Sequence, residues 1–253
     1  MDQITINSSG LVLSSIFEIF LPFILSFIWT KYFNGKIYSI FIGILGFICS
    51  IGLEGIFLSM ISKIIKKTST TFYIIGIISP GLFEETGRYI CLKYLLKKKD
   101  KLKNISVSYG IGHGGIESIM VGITLLSYLF LGEIFIEKGI LKESITFYTC
   151  LMSSCERLFA VILHISLSII VYKAVKKENN NYYIFSIILH DILDIIGFLK
   201  VKNIITSIFI IELMIAIFSL CTAFYSYKLY INFEEKEEQN ISNKSESSIK
   251  INN

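Results

Sequence analysis

Residues 38–62 read YSIFIGILGFICSIGLEGIFLSMIS, 25 positions in which Glu54 is the single Asp, Glu, Lys or Arg. A helix of that length spans roughly 37 Å at ~1.5 Å per residue, more than the ~30 Å of hydrocarbon in a bilayer. A helix apolar on every face over such a length has no use for water around it. Six further runs have the same character: Leu11–Trp29, Thr71–Leu96, Ile105–Leu131, Ile145–Tyr172, Asn181–Leu199 and Ile204–Tyr230. Backbone groups in hydrocarbon must satisfy one another, so each run is predicted to be a helix. The fold class that follows is all-α, a polytopic transmembrane helix bundle of about seven helices.

Composition agrees. Hydrophobic residues are 53% of the chain against 17% charged, and mean hydropathy is +0.65, which excludes an ordinary soluble domain. The net charge of +4 sits in interhelical lysine clusters, with no basic face interleaved with aromatics, so nucleic acid is not an expected partner. Met1–Gly10 carries an acid and no Lys or Arg, so it lacks the basic region of a secretory signal, and the first run is expected to stay as a span. The five cysteines form no CxxC pair and are expected to be small apolar fillers rather than disulfides or thiolate ligands. Residues 1–231 are read as one membrane domain. Residues 232–253 are rich in Glu, Lys, Ser and Asn and are expected to be a disordered polar tail. Lysine counts in the loops, twelve against seven, favour a multi-pass protein of the cell membrane with its N-terminus outside and its C-terminus cytoplasmic.

Four spans carry ionisable residues in groups, and each such residue costs at least ~2.5–3.5 kcal/mol at mid-membrane. The third has Glu84, Glu85 and Arg88, and the fourth His113 and Glu117. The fifth has Glu156, Arg157 and His164, and the sixth His190, Asp191 and Asp194. All three histidines of the chain belong to these groups. Glu84 and Arg88, His113 and Glu117, and His190 and Asp194 are each four apart and so share a helix face. Arg157 and His164, seven apart, do the same. Glu156 and Asp191 do not share the face of the neighbouring histidine and read as solvated or packing residues. Glu18, Glu54 and Glu212 are solitary. Gly110, Gly112, Gly114 and Gly115 thin the fourth helix and permit close approach of a neighbour. Pro80 removes a backbone donor one turn before Glu84, where local irregularity is expected.

Depth ties the groups together. Glu84 and Arg88 lie 13 and 9 residues before Lys97, and His113 and Glu117 lie 10 and 14 after Lys103. His164 lies 9 before Lys173, while His190 and Asp194 lie 9 and 13 after Asn181. At ~1.5 Å per residue these positions fall roughly 13–21 Å from one lysine-rich face. They form one layer, and one site.

Taken in order, Glu84-Glu85-x-x-Arg88, His113 to Glu117, Arg157 to His164 and His190-x-x-x-Asp194 resemble the motifs of YhfC-type intramembrane proteases. That group is similar to the wider superfamily of CAAX prenyl proteases and PrsW-like glutamic proteases. The likeness covers the third to sixth spans, about 110 residues. It implies an intramembrane endopeptidase, with the bilayer and a membrane-associated peptide or protein as partners. On these positions Glu84 would be the base that activates water, Glu85 and Arg88 would orient it, and His164 would share the water. His190 would stabilise the oxyanion, oriented by Asp194, because an ionised Asp194 cannot itself donate. The superfamily varies at the positions of His113 and Glu117. Amide hydrolysis needs such a base and such a donor. The same residues allow a second mechanism, with His113, His164 and His190 binding zinc. No His-Glu-x-x-His is present, and the carboxylate-rich set favours the arrangement without a cofactor. A proton-coupled transporter would also place Glu, His and Asp at mid-depth, but the chain has no repeated halves. A non-catalytic binding or immunity protein is the remaining class.

Overall fold

A computed structural model describes residues 4–96, 104–141 and 143–251, with the backbone alone for 233–251. The predicted spans are seven helices: α1 Ser8–Tyr32, α2 Ile37–Ile64, α3 Thr70–Ile90, α4 Asn104–Glu137, α5 Phe147–Lys177, α6 Asn180–Val201 and α7 Ile208–Ile251. Five of them, all but α3 and α6, are long and apolar enough to cross a membrane by length and composition alone. α3 and α6 are the two shortest of the seven. The chain is a polytopic helical bundle, and its large apolar side chains, among them Phe20, Phe23, Phe41, Phe130 and Phe224, point outward. In hydrocarbon such a surface needs no polar cover.

Local sequence sets the ends. Asn7 caps α1 by accepting the Gly10 N–H at 2.8 Å, Ser69 caps α3 through Phe72, and Thr146 and Thr149 form a reciprocal box at the start of α5. The residues before α1 and before α5 pair at one isolated bridge: Asn7 N–H donates to Ile145 O and Ile145 N–H to Thr5 O, each at 2.9 Å. The N-terminus and the start of α5 therefore lie at the same end of the bundle.

α5 is the central helix, packed against α1, α3, α4, α6 and α7. Its buried Leu163, Leu167 and Ile170 form a core with Val107 and Ile111 of α4. α4 reaches three neighbours through glycine. A Cβ on Gly112 would lie 2.0 Å from the Ile40 carbonyl oxygen of α2, and one on Gly43 of α2 would lie 2.2 Å from the Tyr109 oxygen of α4. The two backbones touch where neither has a side chain.

One expectation changes. α3 runs through Pro80 without a break, and the departure from α geometry comes later, as a π-helical turn at Cys91–Leu96. A neighbouring turn can absorb one missing donor, so Pro80 leaves the helix intact. The backbone of α7 is helical to Ile251, and its apolar window closes at Asn232. The lysines at 97–103 used to gauge depth, and Lys142, lie outside the described residues. Among the described residues the cysteines are unpaired, and Cys49 and Cys221 are exposed rather than buried fillers.

Candidate active site

The eight residues singled out from sequence converge where α3, α4, α5 and α6 meet, and seven of them join in direct hydrogen bonds. Arg88 lies fully buried beside Glu85, and its Nη1 donates to Glu85 Oε1 at 2.7 Å. Its Nη2 contacts His164 Nδ1 at 3.0 Å. A guanidinium can only donate, so Nδ1 accepts and a neutral His164 carries its proton on Nε2. That nitrogen meets Glu117 Oε2 at 2.7 Å. The other Glu117 oxygen accepts from Arg157 Nη1 at 2.7 Å, and Arg157 Nη2 also donates to Glu156.

The second branch starts at the same Glu85 oxygen. His190 Nδ1 lies 3.0 Å from Glu85 Oε1, so the carboxylate holds the proton on Nδ1 and leaves the Nε2 lone pair directed inward. Nε2 stands 3.9 Å from Glu84 Oε2 and 3.8 Å from Asp194 Oδ2. Glu84 Oε2 is itself paired with His113 Nε2 at 2.9 Å. The three imidazoles form a row, with centroids 4.9 Å apart from His113 to His164 and 5.4 Å from His164 to His190. Gly114 makes room for the row: a Cβ there would lie 3.0 Å from the His164 Cβ.

Three pairings differ from those spacing suggests. Arg88 takes Glu85, one turn back at i−3, while Glu84 faces away from it toward α4 and His113. Partners on other helices, His113 for Glu84 and His190 for Glu85, decide between the two adjacent carboxylates, and spacing alone does not report them. Asp194 lies too far from His190 Nε2 for a hydrogen bond, so Glu85, and not Asp194, orients His190. Glu156 is no detached packing residue, since it shares Arg157 with Glu117. The seven-residue spacing of Arg157 and His164 was the available signal, for both reach the same Glu117 carboxylate.

Of the solitary acids, Glu54 accepts from Ser79 at 2.7 Å, and Glu18, fully buried, accepts from Ser153 at 3.0 Å. Glu212 is buried on α7. None of the three bonds to the layer. Asp191 lies against α3, its Oδ1 2.0 Å from where a Cβ on Gly81 would stand.

The zinc alternative changes its ligands. Glu84, His164 and His190 each offer an atom within 4.8 Å of the other two; His113, paired with Glu84, is not in that group. Zinc with bonds of ~2.0–2.1 Å holds its ligand atoms about 3.3 Å apart. The 3.9 Å between His190 Nε2 and Glu84 Oε2 would close by about 0.6 Å, and spacings in the group that reach toward 4.8 Å would close by more. A histidine with its far nitrogen on a carboxylate and its near lone pair inward is the usual preparation of a zinc ligand. His164 fits after exchanging one of its two hydrogen bonds. The residues present suit the metal.

A cavity of about 320 Å³ reaches Glu117, His164, His190 and Asp194 from one side, with Arg157 and Glu156 in its wall. Asp194 Oδ2 has no hydrogen-bond partner among the described residues.

Comparison with known proteins bears on both fold and chemistry. The profile of the YhfC intramembrane metalloprotease family matches residues 17–215, which hold every residue of the layer. The uncharacterized membrane protein YhfC of Bacillus subtilis (strain 168) is 25% identical over 244 residues, covering 86% of this chain and 94% of that protein. These findings support a multi-pass membrane peptidase, and they give no support to the preference for a site without metal. The chain belongs to the YhfC intramembrane metalloprotease family.

Proposed function

We propose that the protein is an intramembrane endopeptidase whose centre is a zinc site on Glu84, His164 and His190. The observation that carries the reading is the approach of these three side chains to within 4.8 Å, with Glu85 fixing His190 so that its Nε2 faces Glu84. Zinc held there supplies a Lewis acid for water and for the scissile carbonyl. The chain's residues do the rest. Arg88, between Glu85 and His164, sets the orientation of two ligands through one buried guanidinium. Arg157 and Glu117 hold the outer edge of His164. Asp194 is the carboxylate beside His190 with an oxygen to spare, placed to accept the proton released from water and return it to the leaving amine. His113 holds Glu84 Oε2 at 2.9 Å, and its aromatic neighbours Phe47 and Tyr109 pack around that fully buried imidazole.

One observation favours a second reading, in which Glu84 activates water directly, as the resemblance to glutamic proteases implies. Both nitrogens of His164 are already engaged, by Arg88 and Glu117, and that is a poor state for a ligand. In this reading His190 is the donor to the oxyanion and Glu85 supports its charge. Either reading needs Glu84 and His190. Purified protein would be given candidate membrane peptides beside Glu84→Ala and His190→Ala. Both variants are expected to lose cleavage, and wild-type cleavage by folded His190→Ala would end both readings. The lysine asymmetry supports a cell-membrane location with the N-terminus outside.

A further inference from the structure

The cavity beside the layer has a definite direction. Its inner wall is His164, His190 and Asp194, and from there it runs along α3 and α6 to Gly76, Gly197 and Val201. Gly76 lies six residues from the start of α3, and Gly197 lies four from the end of α6. Those two helix ends lie at the same end of the bundle, the one that holds the N-terminus and the start of α5. The π-helical turn at Cys91–Leu96 and the start of α4 belong to the opposite end. The layer is therefore reached from one end and closed at the other by buried Leu92, Leu96, Ile105 and Tyr109.

Gly76 of α3 and Gly197 of α6 both line this passage. A Cβ added at Gly76 or at Gly197 meets nothing within 4 Å, in contrast to Gly43, Gly110 and Gly112, where it would run into a neighbouring backbone. Glycine at 43, 110 and 112 permits helix contact, but at 76 and 197 no contact requires it. Gly52 and Gly55 of α2 are open in the same way; what sets Gly76 and Gly197 apart is that both line this cavity. Below them, His190 is only 4% exposed and its Nε2 has no hydrogen-bond partner among the described residues, yet it lines the same cavity.

We infer that Gly76 and Gly197 form the mouth through which the substrate's extended segment reaches His190 and Asp194. Entry is from the N-terminal end of the bundle, between α3 and α6. This rests on the proposed peptidase reading for the identity of what enters, but the mouth itself can be tested without cleavage. Asp194 lies one turn below Gly197 on α6, lines the cavity, and keeps Oδ2 without a hydrogen bond among the described residues.

The test uses diethyl pyrocarbonate, which carbethoxylates an accessible imidazole, with each histidine followed by mass spectrometry in chelator-treated protein in detergent. Wild type is expected to be modified at His190 and not at His113, which is fully buried. Gly197→Trp and Gly76→Trp each plug the mouth from one wall and are expected to slow His190 modification at least about tenfold. Ile195→Trp, on the outward face of α6, is expected to leave it unchanged. Thermal midpoints identify any variant that has not folded, and the other glycine then answers. Equal His190 rates in a folded plug variant and wild type would overturn the assignment. Protein that cleaves no peptide but shows the plug effect would overturn the peptidase reading and keep the mouth. Cleavage of peptides unaffected by either plug would do the reverse.

Discussion

Replacing Glu85 by Gln separates what holds the site together from what performs the chemistry. One oxygen, Glu85 Oε1, takes Arg88 Nη1 at 2.7 Å and His190 Nδ1 at 3.0 Å, and both Glu85 and Arg88 are fully buried. Glutamine keeps the shape and can still accept, but it removes the negative charge. Arg88 is then left with His164 as its near partner, a neutral acceptor. Stranding a buried charge in this way costs about 3–5 kcal/mol. His190 loses the carboxylate that fixes its tautomer, which lowers metal affinity about 10–100-fold. That factor is about 1.4–2.7 kcal/mol, so the loss of stability should exceed the loss of binding. Glu84→Gln provides the comparison. Glu84 pairs with His113 and not with Arg88, so no guanidinium is stranded, and stability should fall by no more than one neutral hydrogen bond, about 0.5–1.5 kcal/mol. The assay is denaturant titration of purified protein in detergent, with zinc affinity by indicator competition. Equal midpoints for Glu85→Gln and wild type, or a larger drop for Glu84→Gln, would refute the assignment of Arg88 to Glu85.

Three further outcomes are expected. Asp194→Asn should lower cleavage by about 10²–10⁴, the usual share of general acid–base catalysis, while the metal content measured by atomic emission stays at the wild-type level; loss of metal instead would make Asp194 a ligand. Gly112→Ala should destabilise by about 1–3 kcal/mol, because its Cβ would stand 2.0 Å from the Ile40 carbonyl oxygen, whereas Gly55→Ala, with open space around it, should be neutral or slightly stabilising in the same unfolding titration. In a cysteine-free background, Ser8→Cys should react with an impermeant maleimide from outside the cell; reaction from the cytoplasm alone would reverse the orientation and, with it, the side on which the mouth opens.

The spans are legible in the sequence because a bilayer demands long apolar runs and tolerates few alternatives. Residues 38–62 show this most directly, and the structure extends them by one residue at the start and two at the end. The polar layer is legible for a related reason. Eight residues that cost energy in hydrocarbon recur at helical spacing and at one depth, and in the structure they surround one point. Partner choice is another matter. Arg88 stands four residues after Glu84 and three after Glu85, so spacing admits either acid as its partner. The choice follows from what each acid meets on other helices, His113 for Glu84 and His190 for Glu85, and no spacing rule encodes those partners. The same limit applies to Asp194, which shares a helix face with His190 but is 3.8 Å from its Nε2. It applies to the metal as well. Three histidines look like a ligand set in a list of residues, yet His113 is spent on Glu84, and the carboxylate takes its place beside His164 and His190. Arg157 shows the opposite case, since its seven-residue spacing from His164 does reflect a shared partner, Glu117.

The most direct test of the central claim is the zinc content of purified wild-type protein, followed through chelation and restoration alongside cleavage of a membrane peptide. Close to one zinc per chain is expected, with cleavage lost as zinc is removed and both regained on adding zinc back, and neither seen in Glu84→Ala or His190→Ala. Full-rate cleavage by metal-free protein would contradict the claim and leave Glu84 itself as the group that activates water.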